Sequence, residues 1–252
     1  MRSVAVTTLV TAAVLASLTA CSIPEKYITD AAARPSGDPF RCLGDPPAST
    51  AKDPLTISGA LIDPFHTLPV AGAAVEMFLV GSATAFFTTN SGNMGEFSHT
   101  QGVGGVPLNA YVRASSNGYL QSYFYSAAPF ADKADLKILM LSAMDFATIA
   151  GVAGIAALEP GKVNLIVSVV DCNGGPVAGA TVTTTPAGTV RYFVNSAPSP
   201  TSIATDSMTG AALVANVPVS NTTITATVNG MTLRNQVLDG VAGVLMQTEV
   251  RP

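Results

Sequence analysis

From residue 55 onward, apolar and polar residues alternate with the two-residue period of half-buried strands. In LTISGALID, Leu55, Ile57 and Leu61 take alternate positions, and Asp63-Pro64 then breaks the run. Ala74–Phe87 is strand-like, Pro107–Ser115 alternates again, and Leu136–Leu141 forms a short apolar strand. Thr89–Phe97 is rich in turn residues, and Asn117-Gly118 is a strong hairpin signal. The second half opens on Val163, Leu165, Val167 and Val169, all on one face. It continues through a Cys172–Gly175 turn, the β-rich TVTTTPA and a Thr205–Gly210 turn. Ala212–Val214, TITATV, an Asn229-Gly230 turn and strands over 231–250 complete it.

One interval departs from this period. Ser142–Ala157 is apolar without alternation, with Ser142 and Asp145 placed as in a capping box and Glu159-Pro160-Gly161 as a stop. It predicts a buried helix. Its Asp145 and its dilution by Ala and Gly argue against a membrane span.

The segment PVAGA occurs twice, at Pro69–Ala73 and Pro176–Ala180. Each copy follows a strand ending in aspartate (Asp63, Asp171) and precedes a turn ending in glycine (Gly95, Gly210) and an Asn-Gly turn (Gly118, Gly230). Four landmarks in one order, each recurring 107 to 115 residues later, indicate one supersecondary plan built twice.

This order of strand, Asp, P-V-A-G-A-x-V, strand and Thr-Asn/Asp turn resembles the carboxypeptidase regulatory-like domain, a seven-stranded sandwich of the transthyretin-like, carbohydrate-binding-like group. Both turns before Gly95 and Gly210 are longer than in that family, and the first half carries a Gly102-Val103-Gly104-Gly105 insert. The resemblance implies an all-β fold of two tandem seven-stranded Greek-key β-sandwiches, over residues 55–141 and 161–252. A short helix over 142–160 joins them. It implies little about activity.

Ahead of these lies a different kind of segment. Arg2, the apolar Val4–Ala16 and the small residues before Cys21 have the plan of a secretory signal over 1–20. Leu18-Thr19-Ala20-Cys21 resembles the lipobox of bacterial lipoproteins, which implies lipid attachment at Cys21. Ser22, in place of aspartate, leans the expected destination toward the outer membrane. Residues 21–54 read as a Pro-rich, lipid-anchored linker.

Composition narrows the function. Only 11% of residues are charged and the net charge is −4, so nucleic acid is not an expected partner. Cys42 and Cys172 remain after Cys21. A bridge between them would close a loop of about 130 residues, worth about 4–5 kcal/mol in the chain-entropy model; two free thiols are the alternative.

His66 and His99 sit in no zinc-protease frame, and no nucleophile elbow, phosphate loop or Cys/His cluster is present. No catalytic residue, metal or cofactor is expected. An enzyme would need a cleft joining one of these histidines to a carboxylate. In YLQSYFY, alternation places Tyr119, Gln121, Tyr123 and Tyr125 on one face, a possible binding surface for sugar rings or a partner. The expected protein is therefore a non-catalytic envelope lipoprotein. It would present two modules to a protein partner or, alternatively, bind polysaccharide or peptidoglycan through the tyrosines.

Overall fold

The computed structural model describes residues 38–252. The expected signal segment and Cys21 lie outside the described residues. The first half contains β1 (Leu55–Asp63), β2 (Leu68–Pro69), β3 (Ala74–Leu79), β4 (Ala85–Asn90), β5 (Glu96–Gln101), β6 (Ala110–Ser115), β7 (Ser122–Tyr125) and β8 (Ala134–Leu139). Helix α1 (Ala143–Val152) follows. The second half contains β9 (Lys162–Val169), β10 (Thr181–Thr185), β11 (Thr189–Val194), β12 (Ala197–Ser199), β13 (Ala211–Pro218), β14 (Asn221–Val228), β15 (Met231–Thr232), β16 (Gln236–Asp239) and β17 (Leu245–Val250). The fold is all-β apart from α1. Strands beyond the expected seven per half include the two-residue β2 and β15 and the three-residue β12.

Three sheets form. In one, β1 lies between antiparallel β5 and parallel β8, with β2 at its end. In another, β14 lies between β10 and β16, and β15 also pairs with it. The third has nine strands in the order β12-β11-β13-β9-β17-β7-β6-β3-β4. Strands from both halves therefore share one sheet, and β17 is parallel to both β9 and β7. The expected link between halves was a helix; a continuous strand ladder joins them as well.

Strand alternation distributes the core over both faces of this sheet. Val75, Met77, Val112, Ala114 and Phe124 face the β1 sheet, packing with Leu55, Ile57, Leu61 and Ile138. Leu165, Val167, Val169 and Met246 face the β14 sheet, packing with Val182, Ile224 and Leu238. Because Phe124 registers with Gln247 and Ile166, while Tyr123 registers with Met246 and Leu165, the two small sheets cover opposite faces. Helix α1 covers the rest of the first face: Phe146 and Ile149 pack on Ile166, Phe193, Leu213 and Leu245. Coverage on both sides explains why β9 is buried along nearly its whole length, with Leu165, Ile166 and Val167 in succession. Ser142 caps the helix, its hydroxyl accepting from the Asp145 N–H at 3.0 Å. Among the described residues no helix is long and apolar enough to cross a membrane.

Polar clips reinforce the join. The Gln247 side chain accepts from the Leu139 N–H and donates to the Leu139 carbonyl, each at 2.8 Å, in a buried setting. Gln236 Nε2 donates to Ala127 O at 2.8 Å.

The repeat read from PVAGA has matching hydrogen bonds. The Ser91 hydroxyl accepts from Ala73 N and donates to Val70 O; the Thr205 hydroxyl accepts from Ala180 N and donates to Val177 O. Gly95 and Gly210 both have positive φ, and a Cβ on either would strike a strand carbonyl, that of Leu61 or Val169.

The stretch 38–54, read from its composition as a tether, is fastened to both halves. Cys42 is bridged to Cys172 with a Cα–Cα distance of 5.8 Å. Cys172 N donates to Pro39 O, and Phe40 packs on the second core. Further along, Ala51 N donates to Gly105 O, and the Asp53 carboxylate accepts from Val103 N and Gly104 N. Polar composition identified a segment without periodicity; backbone groups and one cysteine, which have no period, hold it down.

Candidate functional site

The tyrosines singled out by alternation do not form an exposed row. Tyr123 and Tyr125 are 9% and 6% exposed, because β7 is an interior strand and their face is the one that the second core covers. Tyr111 stacks on both, with ring centroids 5.8 and 4.9 Å apart, and on Phe78 at 5.1 Å. Arg113 lies over Phe78 and pairs with Glu76 at 2.8 Å. Burial, then the neighbouring Tyr111, pushes the Tyr125 phenol well above its ordinary range. Tyr123 and Tyr125 share a face of β7, whereas Tyr119 packs against the first core, and alternation could not say which sheet would cover either.

Tyr119 lies apart, in the turn after β6, and is half-buried. Its hydroxyl donates to Asp63 Oδ2 at 3.1 Å. This contact opens onto a cleft of about 620 Å³, lined by Asp63, His66, Leu68, Tyr119, Ser142, Met144 and Asp145 among others.

Three local structures build the cleft. Asp63 ends β1, and its Oδ1 accepts from Phe65 N and His66 N, each at 3.0 Å. That Asx-type turn swings His66 back so that Nδ1 lies 2.8 Å from Asp63 Oδ2. Asp145 sits in the first turn of α1, where its carboxylate accepts the Ser142 hydroxyl at 2.6 Å. Asp63 and Asp145 are buried while the His66 side chain is 54% exposed. One ligand atom from each of the three lies within 4.8 Å of the others. Leu68 and Met144, 57% and 79% exposed, form an apolar rim.

The electrostatics follow from this geometry. The hydrogen bond to Asp63, and then its charge, raises the His66 pKa above its ordinary value. Burial, then the Asp63 charge, raises that of Tyr119.

The arrangement meets the requirement of a histidine joined to a carboxylate in a cleft. Among the described residues, no nucleophile is bonded to that histidine. The Ser142 hydroxyl donates to Asp145, the Tyr119 hydroxyl donates to Asp63, and Cys42 and Cys172 are bridged. His99 lies in β5, opposite Ile57 in register, stacked on Phe87 at 3.9 Å and bonded to Gln101. The two histidines therefore belong to different places. What the cleft offers is an open N/O donor set with two buried carboxylates.

In the sequence, His66 stands outside any zinc-protease frame and Asp145 is a charge inside an apolar segment, with nothing to join the two. The signal available was Asp63-Pro64-Phe65-His66, a turn that returns a histidine to its own aspartate.

No protein-family model matches the chain, and no curated protein matches it. Among solved structures it is similar to hydroxyquinol 1,2-dioxygenase from Pseudomonas putida DLL-E4, with 14% identity and a TM-score of 0.27 over 42% of this chain and 63% of that one. The Bacillus anthracis TIE protein has 10% identity and a TM-score of 0.27 over 78% of this chain and 33% of that one. The shaft pilin SpaA of Lactobacillus rhamnosus GG has 10% identity and a TM-score of 0.24 over 81% of this chain and 98% of that one. The chain thus spans less than two thirds of the dioxygenase and a third of the TIE protein, and the activities in these names belong to those proteins.

Proposed function

We propose that this is an exported, membrane-anchored envelope protein, held by lipid on Cys21. Its two β-sandwich halves act as one rigid, non-catalytic unit for structural or protein-interaction roles. The observation that carries this reading is the Cys42–Cys172 bridge. Such bridges persist in oxidising compartments, and this one fastens the segment after Cys21 to the folded body. The leader pattern around Arg2 and Leu18-Thr19-Ala20-Cys21 supplies the address, and Ser22 favours the outer membrane. The absence of a nucleophile–base pair among the described cleft residues supports a non-catalytic role.

The test is metabolic labelling of the full chain with an alkyne fatty acid in a Gram-negative host, followed by fractionation. The expected result is a labelled protein in the outer-membrane fraction; Cys21→Ser loses the label and becomes soluble. An unlabelled wild-type chain in the soluble fraction would overturn the anchor.

A further inference from the structure

We infer that the cleft between the end of β1 and the start of α1 is a divalent transition-metal site, with Asp63, His66 and Asp145 as ligands and zinc as the ion that its donors fit. The three donors come from three parts of the chain: a strand end, a turn and a helix first turn. Their ligand atoms lie within 4.8 Å of one another. Tetrahedral zinc with bonds of about 2.0–2.2 Å places its donors about 3.3–3.6 Å apart. Closing the shell from separations of up to 4.8 Å takes movement of about an ångström, and the exposed His66 ring has room to supply part of it.

The Asp145 carboxylate also has an oxygen to offer an ion. Asp145 is 9% exposed, and one of its oxygens takes the Ser142 hydroxyl. Its other oxygen accepts from no described residue and is not fully enclosed, so it faces the cleft. Among the described residues, no lysine or arginine lines the cleft to neutralise it.

The surroundings suit an ion as well. Asp63 Oδ1 is held by two backbone N–H groups and Asp145 by its capping serine, so both carboxylates are oriented before anything binds. The Tyr119 hydroxyl lies beside Asp63 Oδ2. Imidazole and carboxylates without thiolate suit zinc, and three protein ligands leave a coordination position open to water. On binding, the contact between His66 Nδ1 and Asp63 is exchanged for bonds from each to the ion, and the imidazole gives up whatever extra proton it carries. The assignment does not depend on the lipid anchor.

The experiment titrates chelator-treated full chain, disulfide intact, with zinc by calorimetry. The expected result is one ion per chain, with affinity lowered about tenfold or more by His66→Ala and by the near-isosteric Asp145→Asn, and unchanged by His99→Ala. NMR of the unmodified protein supplies a readout that needs no substitution: the ring resonances of His66 shift on zinc addition while those of His99 stay. No saturable binding, binding that survives both cleft substitutions, or selective binding of calcium or magnesium instead of zinc would each overturn the assignment.

Discussion

Asp63 and Asp171 close the opening strands of the two halves, and both use one carboxylate oxygen to hold the turn that follows. Asp63 Oδ1 accepts from Phe65 N and His66 N; Asp171 Oδ1 accepts from Asn173 N and Gly175 N. Beyond that shared anchor they diverge. In the first half, the turn carries His66 back over the aspartate and opens a cleft toward α1. In the second, the turn is tighter, with Asp171 N donating to Gly175 O, and Cys172 takes the disulfide to Cys42. A Cβ on Gly175 would sit 3.3 Å from the Asp171 carboxylate, so little room remains for a second side chain at that place. One backbone device thus supports a polar recess in one copy and a covalent staple in the other. The frame is the same in both halves, and the side chains on it decide the chemistry.

The comparison can be broken at three points, the largest effect first. Cys172→Ser removes the staple from the second half alone. Denaturant unfolding should show a loss of about 4–5 kcal/mol, as the chain-entropy model expects for a loop of about 130 residues. Reducing agent should lower the wild-type protein to the same level and leave the variant unmoved. An undiminished variant would mean that the staple adds nothing to stability.

Next come the matching hydroxyls. Ser91→Ala and Thr205→Val each strip a buried N–H and carbonyl of their partner, at about 1–3 kcal/mol. Equal losses in thermal melts sharpen the equivalence of the two PVAGA loops; a loss in one half only breaks it.

The smallest effect concerns pH. Burial disfavours the Asp206 carboxylate, but hydrogen bonds from Thr209 and Asn195 outweigh that and hold its pKa below the usual range. Its contribution is therefore full above the unfolded carboxyl value of about 3.9 and is lost as pH falls through the lower folded value. The first half has Gly92 at the matching place and uses Glu96, which accepts from Met94 N. The stability gap between wild type and Asp206→Asn should stay level near neutrality and narrow in acid. A gap that widens in acid would reverse the assignment.

Much of the fold was legible because it is periodic or local. Leu55, Ile57 and Leu61 announced β1, Val163 to Val169 announced β9, and Ser142 with Asp145 announced the helix start. The join was not legible. Nothing in the residues of β17 says that it pairs with β7 as well as β9, since parallel pairing over long separations leaves no local mark. The burial of Tyr123 and Tyr125 follows from that unseen pairing. The cleft was hidden for a related reason: Asp63 and Asp145 belong to different elements, far apart in sequence, and only packing of α1 beside β1 brings them to His66.

The Cys42–Cys172 bridge also sets how the molecule would carry mechanical load. A pull that enters the chain ahead of Cys42 and leaves it after Cys172 passes through the sulfur–sulfur bond. Every residue between the two cysteines, the whole first half and α1 included, lies off that covalent path and is loaded only through non-covalent contacts such as those of β17 with β7 and β9. Stretched along this axis, the chain can lengthen only by peeling the strands that follow Cys172 away from their neighbours, while the residues between the cysteines cannot be drawn out into the line of pull.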